Sequence, residues 1–118
     1  MSDSVVASQE LVIRYLVGEL AAQEKLSALQ TKEPIRRILA RERLGSTILP
    51  NGRVVNPHTK ASVPKVLEIM GSSAIPITWE GAPAFAAITH VCLLLLPDGQ
   101  PTASLRAMEH VTKLMSNI

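Results

Sequence analysis

Apolar residues between positions 8 and 29 recur in steps of four, at Val12, Leu16 and Leu20, with Ile13, Val17 and Ala21 beside them. That stripe predicts an amphipathic helix packed on a core. A second helix is expected from about Pro34 to Leu44: Pro34 suits a first helical turn, Ile35, Ile38 and Leu39 share a face, and Gly45 supplies a stop. Arg41 then falls in the last turn, where the helix dipole favours a cation whatever its function. From Asn51 the period changes. Asn51-Gly52 reads as a turn, and Arg53 to Asn56 as a short strand stopped by Pro57, which leaves His58 just past a strand end. Val66 to Met70 predicts a strand, and Ile75 to Trp79, with Pro76 inside it, an edge strand. Ile88 to Leu96 is apolar almost throughout, the pattern of a central strand covered on both faces. After Pro97-Asp98-Gly99, Thr102 is expected to cap a last helix whose buried stripe is Leu105, Met108, Val111 and Met115.

Helices at both ends and strands between them predict an α/β fold: one layered domain over residues 1–118, with a mixed central sheet flanked by helices. The 47 % hydrophobic and 3 % aromatic content makes the core aliphatic and argues against aromatic stacking platforms for nucleic acid. The basic excess lies in the first half, where residues 1–60 hold nine Lys or Arg against six Asp or Glu, densest around Arg36, Arg37, Arg41, Arg43 and Arg53. Such a cluster serves an anion or simple solvation. A single cysteine, Cys92, rules out an internal disulfide and a thiolate zinc site, and the expected compartment is the cytoplasm. The longest apolar run, Val91 to Leu96, is far shorter than a bilayer requires, so no membrane insertion is expected.

Histidine is the side chain that titrates near neutrality, and the chain has three. His110 shares a polar helix face with Arg106, Glu109 and Lys113 and reads as solvated, while His90 opens the buried strand and reads as structural. Their spacing matches no metal motif, so neither a metal nor a cofactor is implied. His58 differs. Pro57 restrains the backbone before it, and a strand delivers it to a loop, the usual place for working residues on an α/β scaffold.

The run Leu39-Ala40-Arg41-Glu42-Arg43-Leu44-Gly45-Ser46-Thr47, then Asn51-Gly52-Arg53-Val54-Val55-Asn56-Pro57-His58, resembles the active-site region of the phosphotransferase system enzyme IIA family of the mannitol, fructose and nitrogen-regulatory type. In that family a helix ending Arg-Glu-Lys-Leu and a Ser/Thr pair lead into Gly-Ile-Ala-x-Pro-His. Leu93 to Pro97, a short loop and a helix opening near Ser104 are similar to a later family segment. The resemblance spans about residues 9 to 117. It implies phosphoryl transfer, with His58 accepting the group from the phosphocarrier protein HPr and a transporter domain or regulatory target receiving it. Arg41, Thr47 and Ser104 take the phosphate-stabilising positions, Ser104 standing where the family carries a second histidine. Asn56 is an additional residue before Pro57, and Thr59 replaces a glycine after His58. The family's usual leading and trailing segments are expected to be missing. A phosphorylation-incompetent regulatory module of the same fold is the alternative that the resemblance leaves open.

Overall fold

The computed structural model describes residues 8–23 and 25–118. Helix α1 (Gln9–Ala22) starts at Ser8, whose hydroxyl accepts a hydrogen bond from the Leu11 amide at 3.3 Å. It buries Ile13, Leu16, Val17 and Leu20. It ends seven residues before the expected position 29, because Gln23 and Ser27 offer no apolar side chain to continue the stripe. Ser27 instead opens a separate 3₁₀ turn over Ala28–Gln30, its amide donating to Gln30 Oε1 at 2.8 Å. Helix α2 (Lys32–Leu44) follows, with Pro34 in its first turn as expected.

The sheet is built on β4 (Ile88–Pro97). Along one side run β1 (Val54–Val55) and β2 (His58–Ala61), both parallel to it. Val54 pairs with His90 and His58 with Leu94, the same register, so β1 and β2 are two parts of one strand interrupted at Asn56-Pro57. Proline has no N–H for the ladder, though the Pro57 carbonyl still accepts from the Leu94 amide at 3.0 Å. His58 therefore opens a strand, where the sequence predicted a loop.

On the other side β3 (Leu67–Ile77) runs antiparallel. It joins the two segments expected as separate strands, and the register slips between Ser72 and Ile77, where Pro76 lies. A proline is tolerated in a strand at such an irregularity or at an edge, and β3 offers both.

Alternation along β4 divides the core in two. Val91, Leu93 and Leu95 face α1 and α2 together with Val55, Leu67 and Trp79. Cys92, Leu94 and Leu96 face the opposite way, with Val54, against Val111 and Met115 of α3 (Pro101–Met115). The central, doubly covered strand predicted from its unbroken apolar run is thus β4. Two details of α3 differ from expectation. Pro101 rather than Thr102 opens the helix, since a first helical residue needs no donor. Leu105 is 55 % exposed, and Ala107 and Met108 pack beside Val111 in its stead. No helix among the described residues is long and apolar enough to cross a membrane.

Candidate functional site

His58 takes its place from register. It pairs with Leu94, whose side chain belongs to the α3 side of the core, and neighbours in register on parallel strands point to the same face. The half-buried imidazole has Nδ1 2.9 Å from the Asn56 carbonyl oxygen. A carbonyl only accepts, so in the neutral ring Nδ1 carries the proton and Nε2 keeps the lone pair. A nucleophilic nitrogen is the chemical result.

The peptide at Asn56 is held in turn. Its N–H donates to the Thr47 carbonyl at 3.1 Å. Thr47 is tied to the end of α2 by two bonds to Glu42, its amide to Oε1 at 3.2 Å and its hydroxyl to Oε2 at 3.0 Å. Glu42 is 2 % exposed and also accepts from Trp79 Nε1 at 3.0 Å. The Asn56 side chain is buried as well, and among the described residues its Oδ1 has no hydrogen-bond partner.

Of the residues predicted for the site, Thr47 is linked to His58 through the backbone of Asn56, with its hydroxyl engaged by Glu42. Ser104 lies half-buried in the first turn of α3, on the stripe continued by Ala107, Met108 and Val111, and so on the same sheet face as His58. Arg41 is exposed in the last turn of α2, where one guanidinium nitrogen donates to the Gly45 carbonyl at 3.4 Å; among the described residues no hydrogen bond joins it to His58. His90 shares a 2.9 Å contact with the Thr89 hydroxyl, and His110 lies exposed on α3. Among the described residues no three His, Cys, Asp or Glu side chains gather as a metal site would require.

Glu42 and Asn56 escaped the sequence reading as site residues. Glu42 did carry a signal: it stands four residues after Ile38, on the stripe of Ile35 and Ile38, so a carboxyl group occupies a core position of α2. Asn56 had none beyond its place before Pro57.

Residues 1–118 match the family model described as "Phosphoenolpyruvate-dependent sugar phosphotransferase system, EIIA 2". The 2-O-alpha-mannosyl-D-glycerate-specific EIIABC component of the phosphotransferase system of Escherichia coli (strain K12) is 32 % identical over 112 residues, which are 94 % of this chain and 16 % of that protein. The chain thus spans about one sixth of the length of that curated relative. Among solved structures, the nitrogen regulatory protein IIA-Ntr from Neisseria meningitidis superposes with a TM-score of 0.75 at 24 % identity, covering 94 % of this chain and 73 % of its own. IIA mannitol from Escherichia coli gives a TM-score of 0.66 at 16 % identity, covering 91 % and 74 %. At those identities the two structures establish a shared fold.

Proposed function

Because the chain belongs to the enzyme IIA family of the phosphoenolpyruvate-dependent sugar phosphotransferase system, we propose that it carries a phosphoryl group on Nε2 of His58, taken from phospho-HPr in the cytoplasm and passed to a sugar-transporter domain. The observation that carries this reading is the hydrogen bond from Nδ1 to the Asn56 carbonyl. It holds the proton on one ring nitrogen and leaves the other free to attack phosphorus. As the new N–P bond forms, the bond between phosphorus and the donor's nitrogen breaks, and the acceptor ring takes up positive charge that the Asn56 carbonyl dipole offsets through Nδ1–H. Phosphoryl transfer asks the protein mainly for positioning and for charge stabilisation around the equatorial oxygens. Arg41 and Ser104 are the side chains we assign to that second task.

The reading has one specific rival: a module of the same fold that binds a regulatory partner without being phosphorylated. Ser104 at the second-histidine position and the engagement of Arg41 with Gly45 favour it. Incubation with phosphoenolpyruvate, enzyme I and HPr, followed by mass spectrometry, separates the two. Transfer requires a gain of one phosphoryl group that is lost on acid treatment and absent in His58→Ala. No gain in the wild-type chain with a cognate donor would leave the binding module as the reading.

A further inference from the structure

The carboxyl group of Glu42 lies in the core, 2 % exposed, and the partners seen for it are neutral: Trp79 Nε1 at 3.0 Å, the Thr47 amide at 3.2 Å and the Thr47 hydroxyl at 3.0 Å. Burying a carboxyl group is costly unless its oxygens are well supplied with donors, and packing alone would be served better by a leucine on the stripe of Ile35 and Ile38. A leucine, however, would leave the Trp79 indole N–H and the Thr47 amide without acceptors.

What the carboxyl group holds leads to His58. Trp79 lies just beyond the end of β3, and Thr47 lies in the segment joining α2 to β1, so Glu42 ties two distant parts of the chain to the last turn of α2. From Thr47 the line is continuous. Its carbonyl takes the Asn56 N–H at 3.1 Å, and the Asn56 carbonyl faces His58 Nδ1 at 2.9 Å. The interrupted ladder at Asn56-Pro57 makes such support necessary, because the peptide that orients the imidazole lies where strand pairing lapses.

We propose that Glu42 is a positioning residue for phosphoryl acceptance: through Thr47 and the Asn56 peptide it fixes the His58 ring with Nδ1 protonated and Nε2 open. The proposal rests on the transfer reading above. It predicts different behaviour for two substitutions. In Glu42→Gln the amide oxygen still accepts from Trp79 and the Thr47 N–H, and the amide nitrogen donates to a Thr47 hydroxyl turned to accept. In Glu42→Ala every bond is lost and the Thr47 segment is released.

The test has two arms on the intact chain. Ring-nitrogen NMR of His58 in the unphosphorylated protein should report Nδ1–H in the wild type and in Glu42→Gln, and a mixture of tautomers in Glu42→Ala. Phosphorylation by enzyme I, HPr and phosphoenolpyruvate should slow by about tenfold or more in Glu42→Ala, with Gln recovering most of that loss. If Glu42→Ala does not fold, Thr47→Val, which removes the hydroxyl link alone, should show the tautomer mixture. An unaltered tautomer in Glu42→Ala, or in Thr47→Val where that variant stands in, overturns the proposal. So does a Gln variant as slow as the Ala variant, since the carboxyl group would then act by its charge. The NMR arm needs no phosphoryl donor, so a chain that is never phosphorylated defeats the transfer reading while the role of Glu42 is still decided.

Discussion

At His58 a proline and a carbonyl do separate work: Pro57 interrupts the ladder, and the Asn56 carbonyl, one residue earlier, turns back to hold Nδ1. Arg41 is held less firmly, by a 3.4 Å bond to Gly45 that water readily replaces. Its assignment to the phosphoryl oxygens is tested by Arg41→Ala, which should slow phosphorylation by at least about tenfold, equivalent to roughly 1.4 kcal/mol in the barrier. An unchanged rate in a folded variant would reduce this guanidinium to a charge at a helix terminus. For Ser104 the expectation runs the other way. A neutral hydroxyl supplies about 1 kcal/mol of hydrogen bonding against about 1.5 to 3 for a charged donor, so Ser104→His should speed transfer to His58 or lengthen the life of the phosphorylated form. Stopped-flow and decay measurements on the two proteins decide it. Cys92 offers a check independent of transfer. Burial, then the hydrogen bond and negative charge of Glu68 3.3 Å away, push its thiol up to about 12. The folded chain thus holds this proton more tightly than the unfolded chain. The stabilisation is complete below the range of a free thiol, about pH 8.5, and is lost as pH rises toward 12. Urea unfolding between those limits should show a fall in stability that Cys92→Ala lessens, and native Cys92 should resist thiol reagents at pH 8.

Among the connecting elements, the Asn51-Gly52 turn was the clearest in the sequence, and its dipeptide has tertiary duties as well. Asn51 Oδ1 accepts from the Arg53 amide at 3.0 Å, while Nδ2 donates to the Met115 carbonyl at the end of α3, also at 3.0 Å. Gly52 has φ +71° and accepts the Ala87 amide at 2.8 Å. A β-carbon there would stand 2.8 Å from the outer edge of the Phe85 ring. Phe85 is 73 % exposed and can move, so the left-handed backbone sets the main cost. Gly52→Ala should therefore lose about 1 kcal/mol in denaturant unfolding. Near the other end of the same segment, the stop at Pro57 was legible, but the strand's resumption at His58 in unchanged register was not, because His58, Thr59 and Lys60 carry no apolar run and only Ala61 returns to the core. The merging of two predicted strands into β3 has the converse origin: Pro76 suggested an edge, and the slipped register lets an edge strand pass through it.

Across the whole molecule, β4 separates two apolar layers, and truncations should distinguish them from the surface. Leu94, 1 % exposed and opposite His58 in the ladder, should cost about 2 to 5 kcal/mol as Leu94→Ala. Leu105, 55 % exposed, should cost within about 0.5 kcal/mol as Leu105→Ala, and comparable losses for the two in urea unfolding would contradict the layer assignment. Periodicity along the chain was enough to predict the layered α/β class, the cores of α1 and α2 and the centrality of β4, because each depends on where apolar side chains recur within a single element. The enzyme IIA resemblance around Arg41, Thr47 and Pro57-His58 was equally legible, being carried by contiguous residues. Tertiary structure alone decided which way the His58 ring is turned, that Thr47 spends its hydroxyl on Glu42, and that Trp79 joins the same carboxyl group. The reason is physical. These bonds connect residues up to 37 positions apart. Two of them join side chains from separate elements or segments to one carboxyl group, and the third ends on a backbone carbonyl that every residue possesses, so no local pattern announces them until the fold brings the partners within about 3 Å of one another.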